Sequence, residues 1–208
     1  MSASETTGVT PLTPELAASI EQMLDDAGIH ANRQLVRRIV TSGLLLGTDN
    51  TDRLDLKITA AALDEMREAF QLFAPFTAAP KVSVFGSART QTNDPLYVRA
   101  HAVAQALAAD GWMVVTGAGP GIMQAAAEGA GPAQSIGVSI RLPFEEAPNA
   151  TLAEPNVVTM KYFFTRKLML MKESKGFVCL PGGFGTLDEM FELLTLQQTG
   201  KAEPVPIV

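Results

Sequence analysis

From Lys81 onward, short apolar segments alternate with helical ones, and this alternation limits the possible folds more than any other feature of the chain. Two of the apolar segments, 112–116 (WMVVT) and 176–180 (GFVCL), carry hardly any polar residues. Strands of this kind are typical of parallel sheets that are covered on both faces. Parallel strands joined through helices form right-handed crossover units. The sequence therefore predicts a Rossmann-like, doubly wound α/β domain over residues 79–208.

The pattern also gives approximate bounds for the elements of this domain. Strands are predicted at 82–86, 112–116, 135–140, 156–160 and 176–180, and a further strand begins at 204. Helices are predicted at 95–110, 121–130, 163–173 and 186–198.

The region before this domain has helical periodicity and no obvious strand. Thr13-Pro14-Glu15 combines a capping residue, a first-turn proline and a first-turn acid, which together indicate a helix start. Two more helices follow, over about 32–46 and 60–74. The last has an apolar stripe of Leu63, Met66, Phe70 and Phe73. Residues 13–78 are thus predicted to be a helical appendage, and residues 1–12, rich in Ser, Thr and Pro, a disordered tail.

Composition excludes several classes of protein. The net charge of −6 over 208 residues disfavours nucleic acid as a partner. Cys179 is the only cysteine, so no intrachain disulfide can form, and a reducing, cytoplasmic location is expected. No apolar run is long enough to span a membrane. His30 and His101 are far apart in sequence and form no metal-binding motif, so no metal is expected.

Three turns that follow strands are rich in small residues: 86–89 (GSAR), 117–121 (GAGPG) and 181–186 (PGGFGT). Strand-to-helix turns meet at the carboxyl edge of a parallel sheet, where helix starts offer free N–H groups to an anion. The turn at 117–121 lacks the G-x-G-x-x-G spacing of dinucleotide sites, and Arg141 stands where a ribose-binding acid would be needed. This spacing argues against NAD, although Arg141 could suit a 2′-phosphate, and for this turn alone close packing of helix and strand is the favoured interpretation. The three turns together predict a phosphorylated, nucleotide-like ligand.

Two further patterns allow more than one interpretation. Thr186 and Glu189 have the spacing of a capping box, and on spacing alone that structural role is favoured for Glu189. Arg166 and Lys167 stand at a helix start, where cations are unfavourable unless a carboxylate or an anion neutralises them. They could equally be a solvated pair on the surface.

Taken together, GSAR (86–89), TGAGPGIM (116–123), TRK (165–167) and PGGFGTLDE (181–189) resemble the Lonely Guy family, whose members are often mislabelled as lysine decarboxylases. The resemblance covers about residues 80–208. Ala118 departs from it, because the family commonly has glycine at that position. No lysine is set up as a pyridoxal-phosphate Schiff base, so the residues give the decarboxylase label no support.

The resemblance implies a homodimer that hydrolyses the N-glycosidic bond of a nucleoside 5′-monophosphate, either AMP or a cytokinin riboside monophosphate, without a cofactor. By motif, Arg166 and Glu189 are the implied catalytic pair. The implied substrate and phosphate contacts are Ser87, Arg89, Gly119, Gly121, Lys167, Gly182, Gly183, Gly185 and Thr186.

Two alternatives remain open at this stage. Molybdenum-cofactor carrier proteins are similar in fold and in their glycine-rich turns, and would bind a nucleotide-like ligand without catalysis. The helices before residue 75 could instead gate the site or bind an effector.

Overall fold

The structure is a computed structural model, and it describes residues 12–142, 152 and 154–208. All but the last residue of the predicted tail, 1–12, lies outside the described residues. The chain divides into two compact units, one ending at Ala60 and the other comprising Ala61–Val208. The predicted boundary at 78/79 falls later than this division, because the second half of a long helix packs into the second unit. As a functional boundary it stays a prediction.

The first unit contains helices α1 (Pro14–Asp26) and α2 (Arg33–Thr48) and the beginning of α3 (Arg53–Phe73). The Thr13 hydroxyl accepts a hydrogen bond from the Leu16 N–H, as the sequence predicts for a capping residue. Between the two helices, Arg33 pairs with Glu21 at 2.8 Å.

Helix α3 begins at Arg53, earlier than predicted, because the Asp52 carboxylate accepts the N–H groups of Leu54 and Asp55 and caps the helix there. Its buried face agrees with the predicted stripe in part: Phe73 is buried and Met66 packs against the core, whereas Leu63 and Phe70 are exposed. The buried positions are Ala62, Glu65, Ala69 and Phe73.

The second unit is built on five parallel strands in the spatial order β4-β3-β2-β1-β5. The strands are β1 (Lys81–Phe85), β2 (Met113–Thr116), β3 (Ser135–Ile140), β4 (Val157–Met160) and β5 (Gly176–Cys179). Helices α4 (Pro95–Ala109), α5 (Ile122–Ala130), α6 (Phe163–Glu173) and α7 (Phe184–Gln198) lie between or after them. The predicted Rossmann-like α/β fold is confirmed.

Both faces of the sheet are covered. On one face, α4 and α5 pack small residues such as Ala104 and Ala126 against Val82 and Val114. On the other, α6, α7 and the end of α3 enclose a core that includes Phe73, Val115, Val138, Met169, Phe177 and Leu193. This double burial explains why the strands are apolar at nearly every position.

The predicted last strand is present only as a short pairing beside β5. Ile207 forms a parallel bridge with Phe177, whose N–H donates to the Pro206 carbonyl at 2.9 Å. None of the helices in the described parts of the chain is long and apolar enough to cross a bilayer.

The strand order places a topological switch point between β1 and β5. Successive strands from β1 to β4 run outward on one side of β1, and the chain then returns to add β5 on its other side. In open parallel sheets, ligands bind in the crevice at the carboxyl ends of the strands at such a point. The turns that follow β1 and β5 are therefore where a ligand is expected.

Candidate functional site

A cavity of about 920 Å³ opens at this switch point. It lies between the turn after β1 and the turn after β5, and its volume is within the usual range for small-molecule sites. Eight of the predicted site residues line it: Ser87, Arg89, Arg166, Gly182, Gly183, Gly185, Thr186 and Glu189.

Arg166 and Glu189 form a buried ion pair in the cavity wall. Nη1 of Arg166 donates to Oε1 of Glu189 at 2.7 Å, and each residue is only 8% exposed. The capping-box interpretation of Glu189 is wrong, because α7 begins at Phe184 and Glu189 lies beyond its first turn. The carboxylate therefore faces α6 rather than the backbone of its own helix, and the two predicted catalytic residues lie together.

The orientation of Arg166 is fixed from two more directions. Its Nε donates to the backbone carbonyl of Val138, at 2.8 Å, from strand β3. On the turn after β2, a side chain at Gly117 would overlap Nη2 of Arg166. Gly117 is therefore a site residue that the sequence analysis did not single out, although it lies within a motif that was examined. Its role follows from its close approach to the guanidinium, which the sequence does not reveal.

Burial raises the pKa of Glu189 above its ordinary value of 4.5. Desolvation disfavours the charged carboxylate and outweighs the opposing effect of the Arg166 guanidinium, which lowers the pKa. Proton affinity raised in this way, on a carboxyl in a cavity, is typical of functional acids and bases.

The turn after β5 leads directly into an uncapped helix start. Gly183 is the capping position of α7 and supplies no side chain, so the first N–H groups of the helix have no capping partner. At Gly182, any side chain would overlap the Thr186 hydroxyl, so only glycine leaves that hydroxyl in place. Backbone N–H groups and one hydroxyl thus line the cavity beside the ion pair.

The turn after β1 forms the opposite wall. The Ser87 hydroxyl accepts a hydrogen bond from the Arg89 N–H at 3.1 Å, and the Ser87 N–H donates to the Pro181 carbonyl at 3.2 Å. The second contact ties the turn after β1 to the turn after β5. Arg89 itself is exposed at the mouth, where its charge can meet an anion.

Three predicted contacts do not line the cavity. Gly121, with φ of +68°, allows the Ile122 N–H to reach the Ser87 carbonyl at 3.0 Å, and a side chain there would overlap that carbonyl. Gly119 packs against the Met123 side chain. Lys167 turns toward α7, where it pairs with Asp188 at 3.1 Å and with Glu192 at 2.5 Å. The two glycines shape the turn and Lys167 joins two helices, so direct ligand contact by these three residues has no support in the geometry.

The cations at the start of α6 form ion pairs with carboxylates. Arg166 pairs with Glu189, and Lys167 pairs with the exposed Asp188 and the half-buried Glu192 of α7. A fourth carboxylate, Glu65 of α3, accepts the Lys161 N–H just before the helix. Glu65 was missed in the sequence because periodicity alone places apolar residues, rather than this acid, on the buried face.

A second cavity, of about 840 Å³, lies between α4 and the end of β5. Its lining is mostly aliphatic, with Arg99 and Asp110 as its charged members. It contains no buried ion pair, so the chemistry concentrates in the first cavity.

A family match covers the part of the chain that contains Arg166 and Glu189. Residues 121–208 match the family described as possible lysine decarboxylase. The matched segment contains both Arg166 and the PGGFGTLDE turn. The match covers less than half of the chain, and it confirms the predicted resemblance to the Lonely Guy family, whose members often carry this label. It supports a nucleotide-related function.

Solved structures give weaker likenesses. The structural-genomics target TM1055 is 28% identical, with 56% of this chain and 69% of that chain covered and a TM-score of 0.45. The molybdenum cofactor carrier protein of Chlamydomonas reinhardtii is 23% identical, with 62% and 76% covered and a TM-score of 0.47. The molybdenum cofactor binding protein of Rippkaea orientalis has the same identity and coverage and a TM-score of 0.45. A search of curated protein sequences gave no match.

Proposed function

We propose that the protein hydrolyses the N-glycosidic bond of a nucleoside 5′-monophosphate, such as AMP or a cytokinin riboside monophosphate, releasing the free base and ribose 5-phosphate. The observation that carries this proposal is the buried Arg166–Glu189 pair, which lines the same cavity as the uncapped start of α7. The Glu189 carboxylate suits a developing positive charge on the sugar, and the start of α7 suits a phosphate.

Cleavage of a ribosyl C–N bond passes through a transition state with positive charge on the sugar, and a carboxylate close to that charge stabilises it. Glu189 supplies the carboxylate. Arg166 holds it through Oε1, and in the described part of the chain no hydrogen bond engages Oε2. In the proposed reaction Oε2 faces the ribose, a water molecule adds to C1′, and the base departs with the bonding electrons and takes up a proton.

The 5′-phosphate is proposed to lie against the first turn of α7. The free N–H groups there and the positive end of the helix dipole favour an anion, and the Thr186 hydroxyl adds a donor. Arg89, across the cavity, adds a positive charge. Such local donors are what a chain with a net charge of −6 requires, because its overall field repels phosphate.

The homodimer implied by the resemblance is also proposed here. Large apolar side chains on α6 and α7 are about half exposed, and several exposed apolar residues of this size on neighbouring helices are typical of interfaces. These are Phe163, Phe164, Leu168, Phe191 and Leu194. A second copy of the chain is the proposed occupant, and sedimentation of the protein with and without Leu168→Asp measures it.

The test of the activity is product analysis. The purified protein is incubated with AMP and, separately, with adenosine, and adenine and ribose 5-phosphate are followed by chromatography. Release of adenine from AMP alone is the expected result. If AMP protects the protein against heat but no adenine appears, the site binds a nucleotide without cleaving it, and the hydrolase proposal is wrong.

A further inference from the structure

We infer that Glu65 positions Arg166 for the reaction by anchoring the start of α6 from the buried face of α3. This inference rests on the proposed function, since it assigns a residue to the catalytic arrangement of the same cavity. Glu65 lies before the segment that matches the family, and no motif of that family includes it.

Three contacts carry the inference. Oε1 of Glu65 accepts the Lys161 N–H at 2.8 Å. Oε2 accepts the Thr165 hydroxyl at 2.6 Å and, at 3.4 Å, the Tyr162 N–H. Both carboxylate oxygens are thus used on the five-residue stretch that ends immediately before Arg166.

Helix α6 has no capping side chain of its own. Its N-cap position is Tyr162, which makes no side-chain cap hydrogen bond, and its first turn contains no acid. A carboxylate near a helix start interacts favourably with the helix dipole. Glu65, from a helix nearly a hundred residues earlier, supplies the charge and the acceptors that the local sequence lacks.

The contact between Glu65 and Thr165 is buried directly beside Arg166. Thr165 is fully buried, Glu65 is 8% exposed, and an acid is seldom this buried unless its oxygens are satisfied. Because Arg166 follows Thr165 directly, a shift of the helix start would move the guanidinium relative to Glu189 and to the Val138 carbonyl. Glu65 does not line the cavity, so it acts through α6 and is a positioning residue, not a catalytic one.

The experiment compares Glu65→Gln and Glu65→Ala with Glu68→Gln, which removes an exposed acid from the same helix. We expect kcat for adenine release from AMP to fall on the order of tenfold for Gln and a hundredfold for Ala, with little change in KM. The Glu68→Gln protein should match the wild type. If Glu65→Ala fails to fold, Glu65→Gln and Glu65→Asp carry the comparison.

A double-mutant cycle separates positioning from general loss of stability. In an Arg166→Lys background, the Glu65 substitutions should have almost no further effect on kcat, because the group that they displace is already altered. Equal losses of kcat in both backgrounds, or an unchanged kcat in Glu65→Ala, would overturn the inference.

A measurement without substrate keeps this inference distinct from the proposed function. The Glu189 carboxyl is titrated by carbon NMR in wild type and in Glu65→Gln, with Arg166, Lys167, Asp188 and Cys179 as the titratable or charged groups nearby. Displacement of Arg166 should raise the Glu189 pKa further. If the wild type releases no adenine, the hydrolase proposal fails. The role of Glu65 is rejected separately, if the Glu189 pKa is the same in Glu65→Gln as in the wild type.

Discussion

Arg166 is held by three neighbours that come from different parts of the chain: a carboxylate on α7, a carbonyl on β3 and a turn after β2 that has no side chain at its closest point. Each contact fixes a different atom of the guanidinium. Such fixation matters because preorganised charge acts on a reaction without first having to reorient.

Gly117→Ala tests the tightness of this packing. The added methyl group would overlap Nη2 of Arg166 and crowd the Met123 sulfur, both of which end flexible side chains. We expect a stability loss at the lower end of the about 1–3 kcal/mol seen for overpacking. The displaced guanidinium should lower kcat for AMP by on the order of tenfold or more.

The control for Gly117→Ala is Gly43→Ala, in the interior of α2, where an added Cβ meets nothing within 4 Å. That variant should keep full activity. Thermal melts and steady-state kinetics measure both effects. A Gly117→Ala protein with wild-type kcat would show that the position of the Arg166 guanidinium does not depend on glycine at position 117.

Glu189 links catalysis to stability through its pKa. The folded-state pKa is raised, so the carboxyl contributes its full stability below 4.5, and that contribution is lost as pH rises through the folded value. Glu189→Gln removes this titration but also leaves the buried Arg166 guanidinium without its carboxylate, so each protein is compared with itself across pH. We expect the melting temperature of the wild type to fall more steeply from pH 4 to pH 7 than that of Glu189→Gln.

Melting curves across this pH range give the answer for Glu189. A wild type whose melting temperature falls no more steeply with pH than that of Glu189→Gln would contradict the raised pKa of Glu189.

At the scale of elements, the start of α7 is where the phosphate is expected. Thr186→Val keeps the shape of the side chain and removes its hydroxyl. A hydrogen bond to a charged group contributes about 1.5–3 kcal/mol, so KM for AMP should rise by on the order of ten- to a hundredfold. Thr195→Val, an exposed position on the same helix, is the matched control. An unchanged KM in Thr186→Val would mean that the phosphate does not bind at the start of α7.

The sequence predicts helix and strand positions well where apolar runs are bounded by glycine or proline, as at β2 and α5. It fails where two local rules compete for one residue. Thr186 and Glu189 fit a capping box, yet the helix starts two residues before Thr186, because Gly183 can adopt the capping conformation and Arg166 attracts the carboxylate. That attraction is a tertiary contact, so spacing along the chain could not reveal it.

The buried face of α3 shows the same limit. Periodicity favours Leu63 and Phe70, both of which are exposed, whereas Glu65 is buried. The acid is stable there because α6 provides donors from the other end of the domain. No local pattern contains that information, which is why the pair Arg166 and Glu189 came from a family motif and Glu65 from the structure alone.

For the molecule as a whole, the division after Ala60 separates the first helices from a unit that takes half of α3 into its core. Ala69 and Phe73 of α3 belong to the main apolar cluster. Removal of residues 1–74 should therefore cost at least the about 3–5 kcal/mol typical of losing a buried phenylalanine, a large share of a total of about 5–15 kcal/mol.

Removal of residues 1–51 keeps all of α3 and its Asp52 cap, and we expect its product to retain the cooperative unfolding transition of the α/β unit. Circular dichroism melts of the two truncations compare them directly. Equal stability of both would contradict a structural role for α3 in that unit.

The central claim is that Glu189 is required for cleavage of the N-glycosidic bond, whereas other residues of the cavity bind the nucleotide. The most direct measurement is kcat for adenine release from AMP by Glu189→Gln, with the dissociation constant for AMP measured on the same protein. Asp188→Asn, which removes the adjacent exposed carboxylate, is the control. We expect kcat of Glu189→Gln to fall by a factor on the order of a thousand or more with AMP still bound, and Asp188→Asn to turn over normally. A Glu189→Gln protein that releases adenine at the wild-type rate would contradict the account.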